Sequence, residues 1–121
     1  AMSDFYHGPM AMVGEGTYLL IYAPAFSGSD AALEENHFAD QKKCIEKMLS
    51  LGADITLITD NAKFDEYKDK ANVYTFAPVG DEFECMFAFA LFAQMLACKI
   101  SCASGNTPDN PKALKKVTIT K

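Results

Sequence analysis

The chain has 121 residues and a mass of 13.2 kDa, which is enough for one domain and too little for two full cores. Half of the residues are hydrophobic and 22% are charged, which excludes an intrinsically disordered chain. Sixteen acidic and 11 basic residues give a net charge of −5, which disfavours nucleic-acid binding because that function needs a basic face. All 11 basic residues are lysines, so no arginine of this chain can grip a phosphate through two hydrogen bonds.

The four cysteines are Cys44, Cys85, Cys98 and Cys102, and they form neither a CxxC pair nor a cluster with histidine at metal-ligand spacing. A zinc site is therefore not expected, and no cofactor is implied. We expect the thiols to be reduced, buried and inert, because no basic neighbour would activate them. The start of the chain is polar and aromatic, unlike a secretory signal, which predicts a cytoplasmic protein.

The first predicted strand and helix are well bounded. The continuous apolar run at residues 18–24 is typical of a strand that is buried on both faces of a parallel sheet. Ser29-Asp30 can cap the following helix, and Gly52 can stop it after Leu51. The residues expected to share the inner stripe of this helix are Leu33, Cys44, Ile45, Met48 and Leu49.

Two more strands and a long helix follow. Strands are predicted at residues 54–60 and 72–78, separated by a solvated loop or short helix at residues 61–71. Residues 81–103 read as a helix that is apolar nearly all round. A membrane span is the alternative there, but the apolar stretch has 14 residues and includes Gln94, whereas a span needs about 20. We therefore expect a helix buried on several sides, partly by another chain, and a short β-like end at residues 115–121.

Alternating strands and helices predict an α/β fold, a three-layer α/β/α sandwich around a parallel sheet. Three strands and two long helices are few for this architecture, and they would leave apolar faces of the sheet uncovered. An open sheet edge and an apolar last helix would be covered at low cost by further copies of the chain, which predicts a homo-oligomer.

Two motifs stand at opposite ends of the chain. Asp4-Phe-Tyr-His-Gly-Pro9 lies near the start, and Asp109-Asn-Pro-Lys-Ala-Leu-Lys-Lys-Val-Thr-Ile-Thr120 lies near the end. Together they resemble the sugar isomerase (SIS) domain family. More narrowly, they are similar to the carboxyl-terminal half of double-SIS proteins, such as the isomerase part of glucosamine-6-phosphate synthase and the fructosamine-6-phosphate deglycases. Ala23-Pro24, Thr59-Asp60 and Gln94-Met-Leu-Ala97 also fall in the family order.

This resemblance implies a single, incomplete SIS-type (flavodoxin-like) domain over residues 1–121. A complete half begins with a further strand and helix before His-Gly-Pro, and that helix carries the isomerising glutamate of the family. The hydroxyl-rich phosphate loop belongs to the amino-terminal half. This chain also departs from the family pattern at two positions, since Asp4 replaces the usual glutamate and Lys112 stands where arginine is frequent.

The resemblance also assigns roles to side chains. His7 matches the histidine that helps to open the sugar ring across a subunit interface, although it could merely order the Gly8-Pro9 turn. Lys116 matches the lysine that lies against the sugar ring, although a lysine in a polar tail is ordinarily solvated. Asp4 could orient His7 or close the turn, and Lys112 could orient the tail or contact an anion. The other histidine, His37, is expected to be a plain surface residue.

The function implied is that of a segment of a phosphosugar isomerase, acting on a ketose-6-phosphate or an aminosugar phosphate, or of a fructosamine-6-phosphate deglycase. The isolated chain is expected to be inactive, and its partners would be a sugar phosphate and further copies of itself, with neither nucleic acid nor membrane. The alternative is a non-catalytic module that binds a sugar phosphate or only dimerises. A flavin-dependent electron carrier would need a hydroxyl-rich loop after the first strand, which residues 24–27 do not provide.

Overall fold

A computed structural model describes residues 2–26, 30–78 and 80–110. Helix α1 is Met2–Tyr6, a first 3-10 helix is Pro9–Met12, strand β1 is Tyr18–Ala23 and helix α2 is Ala31–Ser50. Strand β2 is Asp54–Thr59, a second 3-10 helix is Ala62–Tyr67, strand β3 is Asn72–Thr75 and helix α3 is Glu82–Ala103. The predicted order of strands and long helices is confirmed, while the predicted β-like end at residues 115–121 lies outside the described residues. The chain divides into two compact units, Ala1–Met86 and Phe87–Lys121.

The three strands form one parallel sheet in the order β1-β2-β3. Tyr18 lies beside Asp54 and Ala23 beside Thr59, so β1 and β2 pair over their whole lengths. Helix α2 makes the connection between them, as a parallel pair requires. The first unit is therefore a small α/β domain, which confirms the predicted α/β class, whereas the three-layer sandwich stays a prediction.

Local capping sets the length of α2. The Asp30 carboxylate accepts the backbone N–H of Ala32 at 2.8 Å, as predicted for the N-cap. Gly52 ends the helix with φ of +85°, a conformation that a residue with Cβ adopts at a cost. The predicted inner stripe of α2 is confirmed for Cys44, Ile45 and Met48, which are buried. The prediction is wrong for Leu33, which is 47% exposed because the first turns of α2 extend beyond the core cluster.

The prediction that the first strand is buried on both faces is wrong. β1 lies at an edge of the described sheet, where Ala23 is its one fully buried residue and Tyr18 is 63% exposed. The central strand is β2, in which all residues from Ile55 to Thr59 are buried. A continuous apolar run indicates a buried environment, but it cannot say which strand takes the centre.

The core of the first unit lies between the sheet and α2. Its buried residues include Ile45 and Met48 of α2 together with Ile55 and Leu57 of β2. The second 3-10 helix adds Phe64, whose ring centroid lies 4.9 Å from that of Phe38. The segment predicted as a solvated loop or short helix thus does form a short helix, and it contributes to the core.

Helix α3 differs from the expected core helix. Within the described part of the chain, Cys85 is the buried residue of α3. Several large apolar side chains of this helix are more than half exposed: Phe83, Met86, Phe87, Leu91, Met95 and Ile100. The stretch Phe83–Ala103 has 21 residues and a mean hydropathy of 1.7, which by length and composition alone would allow it to cross a membrane. The expectation that this helix is buried on several sides is therefore not met among the described residues, and its burial by another chain stays a prediction.

Candidate functional site

His7 lies in the turn between α1 and the first 3-10 helix. Its backbone N–H donates to the carbonyl of Asp4 at 3.2 Å, which closes the end of α1. Pro9 then begins the 3-10 helix, where its missing N–H costs nothing, and Ala11 donates to the Gly8 carbonyl at 3.0 Å. The turn holds the backbone on both sides of the histidine and leaves its side chain exposed.

The other residues predicted for the site are only partly placed. Asp4 is exposed on α1, one turn before His7, and its carbonyl accepts the backbone N–H of His7. Lys112 and Lys116 lie outside the described residues. The convergence of His7 and Lys116 therefore stays a prediction.

A buried carboxylate stands at the carboxyl end of β2. Asp60 is 4% exposed, and its Oδ1 accepts the backbone N–H of Ala25 at 2.7 Å. Its Oδ2 accepts the thiol of Cys85 at 3.4 Å. Asp60 thus joins the segment that leaves β1 to the start of α3, and buried polar groups need such partners.

Thr59 makes a second link between the strand ends. Its hydroxyl donates to the carbonyl of Ala23 at 2.6 Å and accepts the backbone N–H of Asn61 at 3.0 Å. The Asn61 side chain in turn caps the second 3-10 helix by accepting the N–H of Lys63 at 3.0 Å. These hydrogen bonds hold the polar groups at the carboxyl ends of β1 and β2 in place. Open α/β sheets commonly bind ligands at this edge.

A cleft of about 590 Å³ opens at this carboxyl edge. Its lining includes Asp60, Asn61 and Lys63 after β2, and Thr75 at the end of β3. The Lys63 ammonium lies 3.0 Å from the Glu35 carboxylate and 4.9 Å from the centre of the Phe38 ring, so its charge is already paired. The Thr75 hydroxyl donates to Asp65 at 2.6 Å. The hydrogen bond from Lys68, and after it this bond from Thr75, lowers the pKa of Asp65.

The thiol of Cys85 is held in its protonated form. Burial and the hydrogen bond to Asp60 raise its pKa to about 12. A nucleophilic cysteine needs the opposite shift, so Cys85 acts here as a hydrogen-bond donor to Asp60. The expectation that all four thiols are buried holds for Cys44 and Cys85 and is wrong for Cys98 and Cys102, which are exposed because α3 is.

His37 is not the plain surface residue expected. Its ring is half-buried and lies against the ring of Phe26, with 4.5 Å between the centroids. Phe26 has a φ of +56°, a left-handed conformation that is uncommon for a bulky residue and is found most often in functional or tightly constrained segments. The sequence carries no signal for this pair. Asp60, by contrast, could have been singled out as the polar residue that ends a buried parallel strand.

The chain is similar to a known protein. The chain is 25% identical over 120 residues to the glutamine–fructose-6-phosphate aminotransferase [isomerizing] of Caulobacter vibrioides. The match covers 98% of this chain and 18% of the length of that protein. No family model matches the chain. No solved structure matches it.

This similarity extends through both end motifs, because it covers nearly the whole chain. It agrees with the resemblance to SIS-type sugar isomerases and supports a function related to sugar phosphates. The chain spans less than one fifth of the length of the relative. The similarity therefore does not assign the activity of the whole relative to this chain.

Proposed function

We propose that this chain is a segment of a phosphosugar isomerase or fructosamine-6-phosphate deglycase. It would bind a ketose-6-phosphate or an aminosugar phosphate and contribute ring-opening groups to a site completed by other segments or subunits. The observation that carries the proposal is the similarity, over 98% of the chain, to a protein named for fructose-6-phosphate. The three-layer SIS-type sandwich, which needs more strands and helices than the described residues contain, belongs to the same proposal.

His7 is the proposed acid–base group for ring opening. Opening a cyclic sugar moves a proton from the anomeric hydroxyl to the ring oxygen, and imidazole can accept one proton while it donates another near neutral pH. The exposed position of His7 on a backbone-tied turn supports this role, because such a side chain can enter a neighbouring subunit's site.

Lys116 is the proposed second group. Its ammonium would lie against the sugar ring and stabilise the negative charge that develops on the ring oxygen. Asp4 and Lys112 are proposed to help to bind the substrate, Asp4 by orienting His7 and Lys112 by contacting an anionic group. The chain contains no arginine, so the main phosphate contacts would come from hydroxyls and backbone N–H groups of another segment. The isolated chain is therefore proposed to be inactive.

A chimaeric enzyme tests the proposal. The matched segment of the Caulobacter relative is replaced by this chain, and the turnover of fructose-6-phosphate is measured. We expect activity that falls at least about 100-fold in His7→Ala, as the loss of a general acid–base group does. Lys116→Ala is expected to lower turnover in the same way.

Matched controls come from the same chain. His37→Asn replaces its other histidine, and Lys115→Ala replaces the lysine next to Lys116. Both controls should retain turnover. A chimaera whose activity survives both His7→Ala and Lys116→Ala would overturn the roles of these residues, and a folded chimaera without any turnover would overturn the proposed enzymatic function.

The exposed apolar surface of α3 supports the second candidate, a non-catalytic dimerisation or sugar-phosphate-binding module. Phe87, Leu91 and Met95 are each more than half exposed, as in a helix that packs against a partner. Calorimetry of the folded chimaera with fructose-6-phosphate and glucosamine-6-phosphate distinguishes the two candidates. Binding without turnover favours the module, whereas turnover favours the enzyme.

A further inference from the structure

The last two turns of α3 carry a pair of neighbouring thiols. Cys98 and Cys102 are exposed, whereas Cys44 and Cys85 are buried. Residues four positions apart on an α-helix lie on the same side, with their Cβ atoms about 5–6 Å apart. The thiols of Cys98 and Cys102 also form a side-chain hydrogen bond with each other. One ligand can therefore contact both sulfur atoms at the same time.

The backbone that carries this pair is fixed at the end of α3. The N–H of Gly105 donates to the carbonyl of Cys102 at 3.0 Å, and the N–H of Asn106 donates to the carbonyl of Ser101 at 3.0 Å. Gly105 has a φ of +75°, the left-handed conformation that commonly ends a helix. Both cysteines therefore keep helical spacing. Because this spacing lies within one helix, it does not depend on which other segments pack nearby.

The spacing is too long for a disulfide bond and suits a bridging metal ion. A disulfide bond needs Cβ atoms about 3.5–4.5 Å apart, which is less than the helical pair provides. A metal ion between the sulfur atoms replaces one S–S bond of about 2.05 Å by two metal–sulfur bonds of about 2.3 Å each. The longer bridge can span the pair while the helix stays intact.

The number of available ligands indicates which metal ion fits. A structural zinc site takes four ligands. Among the residues that the structure describes, no group of three or more histidine, cysteine, aspartate or glutamate side chains could hold a metal ion. Thiolates are soft ligands that select Cu(I), a closed-shell ion that accepts linear coordination by two sulfur atoms. The Asp109 carboxylate interacts electrostatically with Cys102, and its negative charge favours the approach of a cation.

We propose that Cys98 and Cys102 bind one monovalent copper ion, Cu(I), as a linear bis-thiolate site on α3. Binding breaks two S–H bonds, forms two Cu–S bonds and releases two protons to the solvent, while copper and sulfur keep their oxidation states. The site goes beyond the proposed sugar-phosphate function, since it uses none of the residues assigned to the sugar. Its defining feature is the spacing of the two thiols by four positions.

Anaerobic titration of the reduced full chain with Cu(I) tests the site, with the coloured chelator bicinchoninate as the competitor. We expect one Cu(I) per chain in the wild type, and X-ray absorption of this complex should show two sulfur neighbours around copper. Cys98→Ser and Cys102→Ser should each raise the dissociation constant at least about 100-fold, because the remaining thiolate then binds without its neighbour. Both positions are exposed, so circular dichroism should show that the variants stay folded.

Two control variants separate the spacing of the thiols from their number. The double variant Ala97→Cys with Cys98→Ser keeps the number of cysteines but places the pair five positions apart, on different sides of the helix. This variant should bind Cu(I) as weakly as Cys98→Ser does. Cys85→Ala removes a buried thiol and should bind Cu(I) as tightly as the wild type.

Several results would overturn the copper site. One is a wild type that does not bind Cu(I), and another is a double variant that binds Cu(I) as tightly as the wild type. A ratio of one Cu(I) to two chains would show that copper links separate molecules instead. A disulfide bond between Cys98 and Cys102 that forms on mild oxidation without loss of helical signal would contradict the argument from spacing.

Discussion

The buried carboxylate of Asp60 accepts the backbone N–H of Ala25 at 2.7 Å and so ties the segment after β1 to the end of β2. Replacing Asp60 by alanine would leave this N–H and the thiol of Cys85 without their acceptor. We expect Asp60→Ala to lower the free energy of unfolding by about 1–3 kcal/mol, measured by urea denaturation.

The control for that change is Asp54→Ala, which removes an exposed carboxylate at the other end of the same strand. A surface substitution of this kind should change the free energy of unfolding by less than about 0.5 kcal/mol. Equal losses in the two variants would contradict the structural role of Asp60.

The four cysteines should divide into two classes of reactivity. Cys98 and Cys102 are exposed on α3, whereas Cys44 and Cys85 are buried. We expect two thiols to react readily with a water-soluble disulfide reagent in the folded protein and four to react in denaturant. Mass spectrometry after brief alkylation identifies which thiols are modified, and early labelling of Cys44 or Cys85 would contradict their buried positions.

Stability should fall at alkaline pH because of Cys85. Its pKa is about 12 in the folded protein and close to the usual value of 9.0 when the chain is unfolded, so the unfolded chain ionises first. The stability that the protonated Cys85 thiol contributes is fully present below about pH 9 and is lost as the pH rises towards 12. Burial and the bond to Glu46 also hold the pKa of Tyr67 above its usual value of 10.0, which adds to the loss.

Urea midpoints measured at pH 7, 9 and 10.5 would show the decline. In Cys85→Ala the urea midpoint should fall less between pH 9 and 10.5 than in the wild type, whatever the stability of the variant at pH 7. Cys98→Ala removes an exposed thiol and serves as the control. A profile for Cys85→Ala that runs parallel to the wild type would contradict the assignment.

Gly52 is expected to be intolerant of a side chain. It has a φ of +85°, and a Cβ built there would lie 3.0 Å from Cγ of Glu15. Gly52→Ala should therefore lower the free energy of unfolding by about 1–2 kcal/mol, because a left-handed conformation is unfavourable for L-residues with a Cβ. Gly14→Ala is the matched control, since a Cβ there meets no atom within 4 Å and the φ of Gly14 is not in the left-handed region.

Features that depend on local sequence could be predicted. The cap at Asp30, the stop at Gly52 and the alternation of strands and helices all arise from interactions within a few residues. The failures depend on what lies across space. The apolar run in β1 does not reveal that β2 takes the centre of the sheet, and the pattern of α2 does not reveal that Leu33 extends past the core.

The site shows the same division. The exposure of His7 follows from its turn, and the position of Asp60 follows from its place after a buried strand. The contact between Phe26 and His37 and the thiol bond of Cys85 to Asp60 join residues that are distant in sequence. The family resemblance supplied the roles of Lys112 and Lys116, which local patterns alone would have placed among solvated lysines.

The parallel pairing of β1 and β2 also has a consequence for synthesis. Each β1 residue pairs with one that lies 36 positions later, as Ala23 does with Thr59. At about 5–20 residues per second, the ribosome leaves the apolar β1 unpaired for roughly 2–7 seconds. During that interval the apolar side chains around Leu20 are exposed on the nascent chain, which makes β1 a segment that a chaperone can bind.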